Sequence, residues 1–246
     1  MLKLDNIAHS ERLKSLSFRT GTGQLIGVIG ANGAGKSTLL KIIAGLLNDV
    51  SGVATWGDQD ITRWSAIERR QHLAFIPQQT QFQEPATVAD LLRTAQINLR
   101  ASAQELAQWR QLSIEQFELE ALLERAVTQL SGGEQRRVTL ACTHAMNRPL
   151  LIADEPTASL DLNYQLLTMD WLKTSSQQGK LVFVALHDLA LAAQYCDQIL
   201  LLHHGALLAH GTPNQVLTDA NLATAYKVSV DWLCNPKGVA MLPRRL

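Results

Sequence analysis

The sequence predicts an α/β fold with a buried parallel sheet, an antiparallel β portion near the N-terminus and a helical subdomain inserted near the middle. Three observations predict it. Short β-rich runs punctuated by glycine, at 25–29, 53–56 and 73–76, alternate with helical patterns. The runs at 150–153 and 181–186 are continuous and apolar rather than alternating, as in strands covered on both faces. From about Gln83 to Met146 strand signals vanish and helix starts recur.

Taken in order, the strands of the first half read as one mixed sheet. Apolar residues Leu39, Leu40, Ile42, Ile43, Leu46 and Leu47 then predict a helix over 35–47, packed on two sides. Capping patterns at Thr87/Asp90, Ser102/Glu105 and Ser113/Gln116 predict three helix starts in the middle segment. The expected organisation is therefore a core of residues 1–82 and 147–246 with a helical subdomain at 83–146. After it, a helix over 164–175 separates the two apolar strands. Runs at 199–202 and 206–209, flanking His203-His204-Gly205, read as a late hairpin.

The chain has 246 residues, 46% of them hydrophobic, enough to bury a sizeable core. Lys and Arg number 22 and Asp and Glu 22, so no bulk positive charge is present to hold nucleic acid or anionic lipid. Cys142, Cys196 and Cys234 are odd in number, widely spaced and without a CxxC pair. They read as buried or neutral thiols, not a disulfide framework or a zinc site. No run approaches the roughly 20 apolar residues of a spanning helix, and Met1-Leu2-Lys3-Leu4-Asp5 has no signal-peptide layout. Any membrane role is expected to come through another chain.

Gly30-Ala31-Asn32-Gly33-Ala34-Gly35-Lys36-Ser37 fits the phosphate-binding pattern G-x-x-x-x-G-K-[ST] and lies between a predicted strand and a predicted helix. Glycines let the backbone wrap phosphates, the helix start adds a positive dipole end, Lys36 reaches the β/γ oxygens and Ser37 holds Mg²⁺. A plain glycine turn would match by chance in on the order of 1% of chains this long. Leu150-Leu151-Ile152-Ala153-Asp154-Glu155 is an apolar strand ending in two acids, and strand carboxyl ends are where ligands sit in such sheets. Asp154 is the candidate for the Mg²⁺ shell, and Glu155 for orienting or deprotonating the attacking water. Alone, the pair would read as a solvated turn; downstream of a phosphate loop it does not. In Leu130-Ser131-Gly132-Gly133-Glu134-Gln135, Ser131 and two glycines open a helix with apolar positions Val138, Leu140 and Ala141, a second candidate anion site. A Ser131/Glu134 capping box is the local alternative, and it accounts for neither glycine.

That last string resembles the signature of ATP-binding-cassette (ABC) ATPases. The other family elements follow in the expected order across nearly the whole chain: Gln78 after Phe75-Ile76-Pro77, Ala158-Ser159-Leu160-Asp161, and His187 at a strand end. The resemblance implies a RecA-like P-loop core that binds ATP and Mg²⁺. Nucleotide contacts would come from Gly30, Ala31, Asn32, Gly33, Ala34, Gly35, Lys36, Ser37, Thr38, Ser131, Gly132, Gly133, Glu134 and Asp161. Metal contacts would come from Ser37, Gln78 and Asp154, and catalysis from Glu155, His187 and Gln78. It also implies a head-to-tail homodimer in which the signature of one copy completes the site of the other.

The implied setting is the cytoplasmic face of a bacterial inner membrane, with two permease subunits and, indirectly, a periplasmic binding protein, and without nucleic acid. Short first loop His9-Ser10-Glu11-Arg12-Leu13, Trp64-Ser65-Ala66, Ser159-Leu160-Asp161 and Asn221-Leu222-Ala223 resemble ATPases of bacterial cobalamin importers. Iron-siderophore and haem importers share the tail pattern near 221–226, and a soluble ABC ATPase for cytoplasmic assembly, such as iron–sulfur scaffolds, is the alternative of another class. Many family members stack adenine on an aromatic residue of the first loop; this loop has no Phe, Tyr or Trp. Affinity should then rest on phosphates and Mg²⁺, so a nucleotide titration should find GTP within about tenfold of ATP, or roughly 1.4 kcal/mol. A hundredfold preference for ATP would show that another residue, such as Arg12, covers the base.

Overall fold

The computed structural model describes residues 1–235 and 238–245. The first half of the chain runs β1 (Leu2–His9), β2 (Leu13–Thr20), β3 (Gln24–Ile29), α1 (Lys36–Ile43), β4 (Val50–Trp56), β5 (Gln59–Asp60), α2 (Ala66–His72) and β6 (Leu73–Ile76). Helices α3 (Val88–Ala95), α4 (Ala103–Gln116) and α5 (Gly132–Met146) follow. Then come β7 (Leu150–Asp154), α6 (Leu162–Gln177), β8 (Leu181–Ala185), α7 (Leu189–Tyr195), β9 (Gln198–His203) and β10 (Ala206–Gly211). The chain closes with α8 (Pro213–Val216), α9 (Asp219–Tyr226) and a hairpin of β11 (Val228–Asn235) and β12 (Gly238–Arg245).

The strands of the first half do not share one mixed sheet. They divide between an antiparallel sheet, β2-β1-β4-β5, and a larger one, β10-β9-β3-β8-β7-β6, parallel throughout except for the edge strand β10. Burial explains the division. In β2 buried and exposed positions are interspersed, so one face needs cover, whereas β7 and β8 are buried at every position and need cover on both. Alternate residues of the parallel strands accordingly enter two cores. Leu181, Phe183 and Ala185 of β8 pack with the antiparallel sheet and α1, while Val182 and Val184 pack beneath the later helices. Each such apolar side chain contributes about 1.5–3 kcal/mol when fully buried.

Two further sequence expectations are corrected. Helix α1 stops at Ile43 because Gly45 takes φ 64°, and the Leu46 and Gly45 N–H groups donate to the Lys41 and Ile42 carbonyls. That pair of bonds is a Schellman cap, and it turns Leu46 out to solvent. Ser113 starts no helix. It lies buried inside α4, where its hydroxyl bridges the Trp109 carbonyl at 2.6 Å and His144 Nδ1 at 2.6 Å. Thr87 and Ser102 do cap α3 and α4. Burial pushes the thiols of Cys142 and Cys196 up to about 12, so both are inert. The side chain of Cys234 lies outside the described residues.

His144, between α4 and α6, has its ring 5.9 Å from Phe117 and 5.5 Å from Trp171. Burial first, and then the charge of Lys180, pushes its imidazole down to about 4. An unfolded imidazole titrates near pH 6.5, so the fold accepts the neutral ring only, and acid favours the unfolded chain. Stability from this group is complete above about pH 6.5 and is lost as the pH falls toward 4, by up to about 3 kcal/mol. Denaturant melts of the wild type and His144→Gln should therefore converge on acidification; a gap independent of pH would contradict this account.

Candidate active site

Strands β3, β8, β7 and β6 are neighbours and parallel, so their carboxyl ends emerge side by side at one edge. Those ends lead into the glycine loop, His187, Asp154-Glu155 and Gln78. Residues far apart in sequence meet because of strand order alone. Asn32 to Thr38, Gln78, Glu155 and His187 line a cavity of about 1190 Å³ with the β1–β2 turn, residues 8–14, on one flank and His204-Gly205 on another, while Gly30, Ala31 and Asp154 lie outside its lining.

Gly33 and Gly35 have φ of 77° and 104°, which favour glycine. At Gly35 a Cβ would also lie 3.0 Å from the Arg12 carbonyl, so the first turn packs directly on the loop. Gly35 caps α1 without a side-chain hydrogen bond and no acid occupies the first turn, which leaves backbone N–H groups available to an anion. Lys36 is buried and donates to the Gly30 carbonyl at 2.8 Å and the Ala31 carbonyl at 3.4 Å. Burial lowers its pKa, and the charges of Glu155 and Asp154 partly restore it. Asn32 to Thr38 line the cavity.

Asp154 is 1% exposed, and its Oδ1 has no hydrogen-bond partner. Burial raises the pKa of its carboxyl, against the lowering effect of the Ser37 hydroxyl. A buried carboxylate oxygen without a donor beside a hydroxyl suits a hard cation, so the residues fit Mg²⁺. Among the described residues no group of three His, Cys, Asp or Glu could hold a metal, so phosphate oxygens and water would complete the shell.

Glu155 has φ 50°, a costly conformation for a residue with a side chain. Its Oε2 accepts from Gln78 Nε2 at 2.9 Å and its Oε1 from His187 Nε2. The strain is held by Arg136 of α5, which sequence reasoning missed. This buried guanidinium donates to the carbonyls of Glu155 at 2.7 Å, Pro77 at 2.7 Å, Pro156 at 3.1 Å and Asp154 at 3.3 Å. It thereby ties the β7 end to the Gln78 segment. A signal existed: Arg136 stands four residues before Leu140, on the inward helix face, where an arginine requires acceptors. Also missed was the part played by the His204-Gly205 turn, which lines the cavity. Among the described residues no Phe, Tyr or Trp lines the cavity.

Ser131, Gly132, Gly133, Glu134 and Asp161 do not line the cavity of their own chain. Ser131 and Glu134 form the full capping box of α5, with Glu134 Oε2 accepting from the Ser131 N–H at 2.8 Å. Asp161 caps α6. Yet a Cβ on Gly132 would meet nothing within 4 Å, and on Gly133 only the Ser159 carbonyl at 3.5 Å. Neither residue has positive φ, so nothing inside this chain requires glycine there.

A family model described as "ABC transporter" matches residues 13–158, more than half of the chain. The hemin import ATP-binding protein of Rhodopseudomonas palustris is 36% identical over 227 residues, covering 89% of this chain and 85% of that protein. The achromobactin transport ATP-binding protein of Dickeya dadantii is 33% identical over 221 residues, covering 88% and 82%. Among solved structures, a dimeric ATP-binding cassette in a post-hydrolysis state bound to ADP and phosphate superposes with a TM-score of 0.78 at 27% identity, over 87% of this chain and 99% of that one. With its phosphate loop, acid pair and signature helix in this arrangement, the chain belongs to the ABC transporter family as an ATP-binding subunit.

Proposed function

We propose that this chain is the ATPase of an importer for haem or a ferric chelate, working as a homodimer on two permease subunits fed by a periplasmic binding protein. The observation that carries the ATPase reading is Glu155, fixed at the end of β7 between Gln78 and His187 and facing the Lys36 loop. The cargo reading is supported by the haem and achromobactin names of the relatives, both over 30% identical across most of the chain. The corrinoid expectation rests on the short first turn and scattered matches, none of which meets cargo, and those relatives do not favour it. No helix among the described residues is long and apolar enough to cross a membrane, which fits a subunit held at the cytoplasmic face through its permeases.

In this reading residues 30–38 bind the ATP phosphates. Ser37, Asp154 and Gln78 would hold Mg²⁺, which when bound would supply neutralisation of the charge on the phosphoryl oxygens. Lys36 leaves the Gly30 carbonyl for the β/γ oxygens. Glu155 takes the proton of the attacking water, each of its oxygens keeping acceptor capacity beyond the one contact it makes. His187, whose ring is half exposed beside the largely covered Glu155 carboxylate, contacts the γ-phosphate. Ser131, Gly132, Gly133 and Glu134 of one copy contact the nucleotide of the other, with Asp161 in the segment between copies. Residues 83–146 move as the helical subdomain on closure.

Glu155→Gln should keep ATP binding, lower turnover by about 10²–10⁴ and accumulate a closed dimer; wild-type hydrolysis by this variant in its assembled complex would remove Glu155 from its role. Deleting the gene in the native host should abolish growth on haem or a ferric chelate as sole iron source while sparing growth at limiting cobalamin. The reverse pattern would restore the corrinoid reading, and an ATPase found in the soluble fraction with soluble partners would support cytoplasmic assembly.

A further inference from the structure

A second cavity, of about 560 Å³, opens between α4, the C-terminal end of α5 and the C-terminal end of α6. Lys180, one of its lining residues, directly precedes β8, so the cavity lies at the opposite end of that strand from His187. Trp109 and Trp171 supply aromatic surface, and Gln108, Gln116 and Gln178 supply amides.

The charge balance of this cavity is unusual. Lys180 is half-buried and, like the buried Arg148 behind Trp109, pairs with no carboxylate among the described residues. Arg148 hydrogen-bonds only to neutral acceptors, the Met146 carbonyl and Gln71, and its guanidinium lies 5.8 Å from the Trp109 ring centroid. Burial, and then the charge of Arg148, lowers the pKa of Lys180. His144, which faces the same space, is held neutral and offers no charge of either sign. Asp170 is the acid in the lining, and it accepts a hydrogen bond from the Tyr195 hydroxyl at 2.9 Å. A half-buried cation that is repelled by a second cation and forms no ion pair gains from an anion entering the cavity on its side, away from Asp170. Indole rings and amides lend such an anion a planar surface and hydrogen bonds.

We propose that this cavity is a binding site for a small phosphate- or carboxylate-bearing molecule, with its charge on Lys180 and its body against Trp109 and Trp171. An occupant would touch α4 and α5 on one side and α6 with the start of β8 on the other, bridging the helical segment and the strand core.

The test uses the full chain saturated with MgADP, so that the phosphate loop is blocked, titrated separately with inorganic phosphate, citrate and benzoate while tryptophan fluorescence is followed. A saturable change with at least one of them is expected, and which one responds assigns the phosphate or the carboxylate class. Lys180→Gln should weaken that response at least tenfold and Lys180→Arg should retain it, with thermal melts confirming that both variants are folded. No saturable change with any of the three, or equal affinity in folded Lys180→Gln, would overturn the proposal. Should Lys180→Gln not fold, loss of the wild-type response on Trp109→Phe supports the site, and its full persistence overturns it.

Discussion

Covering a parallel sheet on both faces is the constraint from which the rest of this structure follows. Strands β3, β8, β7 and β6 are apolar at almost every position because packing meets them from above and below, so they cannot carry polar chemistry along their length. Their ends can. Since the strands run the same way, four carboxyl ends arrive at one edge, and the glycine loop, His187, Asp154-Glu155 and Gln78 converge without any of them being close in sequence. The second core, against the antiparallel sheet, holds the first turn over the glycine loop: Gly205 accepts from the Lys14 N–H and donates to the Ala34 carbonyl.

Within that frame the geometry of Glu155 is imposed. A left-handed backbone at a glutamate costs on the order of 1–3 kcal/mol, and it persists only where its surroundings over-determine it. Arg136 does so with bonds to four carbonyls, and the Glu155 N–H donates to the Ala185 carbonyl of β8. The same helix α5 begins at Ser131-Gly132-Gly133, so one element joins the signature string to the backbone around Glu155.

Much of this was legible in the sequence where a single local rule decides the outcome. The Gly30–Ser37 loop, the Asp154-Glu155 strand end, and the caps at Thr87 and Ser102 all follow from patterns whose physics is complete within a few residues. Apolar periodicity carried the helix at 35–47 too far, because it does not register the positive φ of Gly45. Ser113 was misread because a serine that back-bonds within a helix carries the same letters as one that caps it. The fate of Arg136 depends on carbonyls contributed by two segments far apart in sequence, at 77 and 154–156, and Gly132 is informative only once the space around it is known. Two sheets in place of one were hidden because strand partners are long-range, and the β11–β12 hairpin carried no signal that was read.

The central claim is that each site is completed by the signature of a second copy. It is tested most directly by counting active sites in covalently linked dimers that carry Lys36→Ala and Ser131→Arg in two arrangements. With the substitutions on different halves, both fall on the same site, and one intact site should remain, trapping about one nucleotide per dimer under turnover. With both on one half, each site is struck once and none should remain. The opposite ranking, activity surviving only when both substitutions share a half, would show that the signature serves its own chain and would contradict the account.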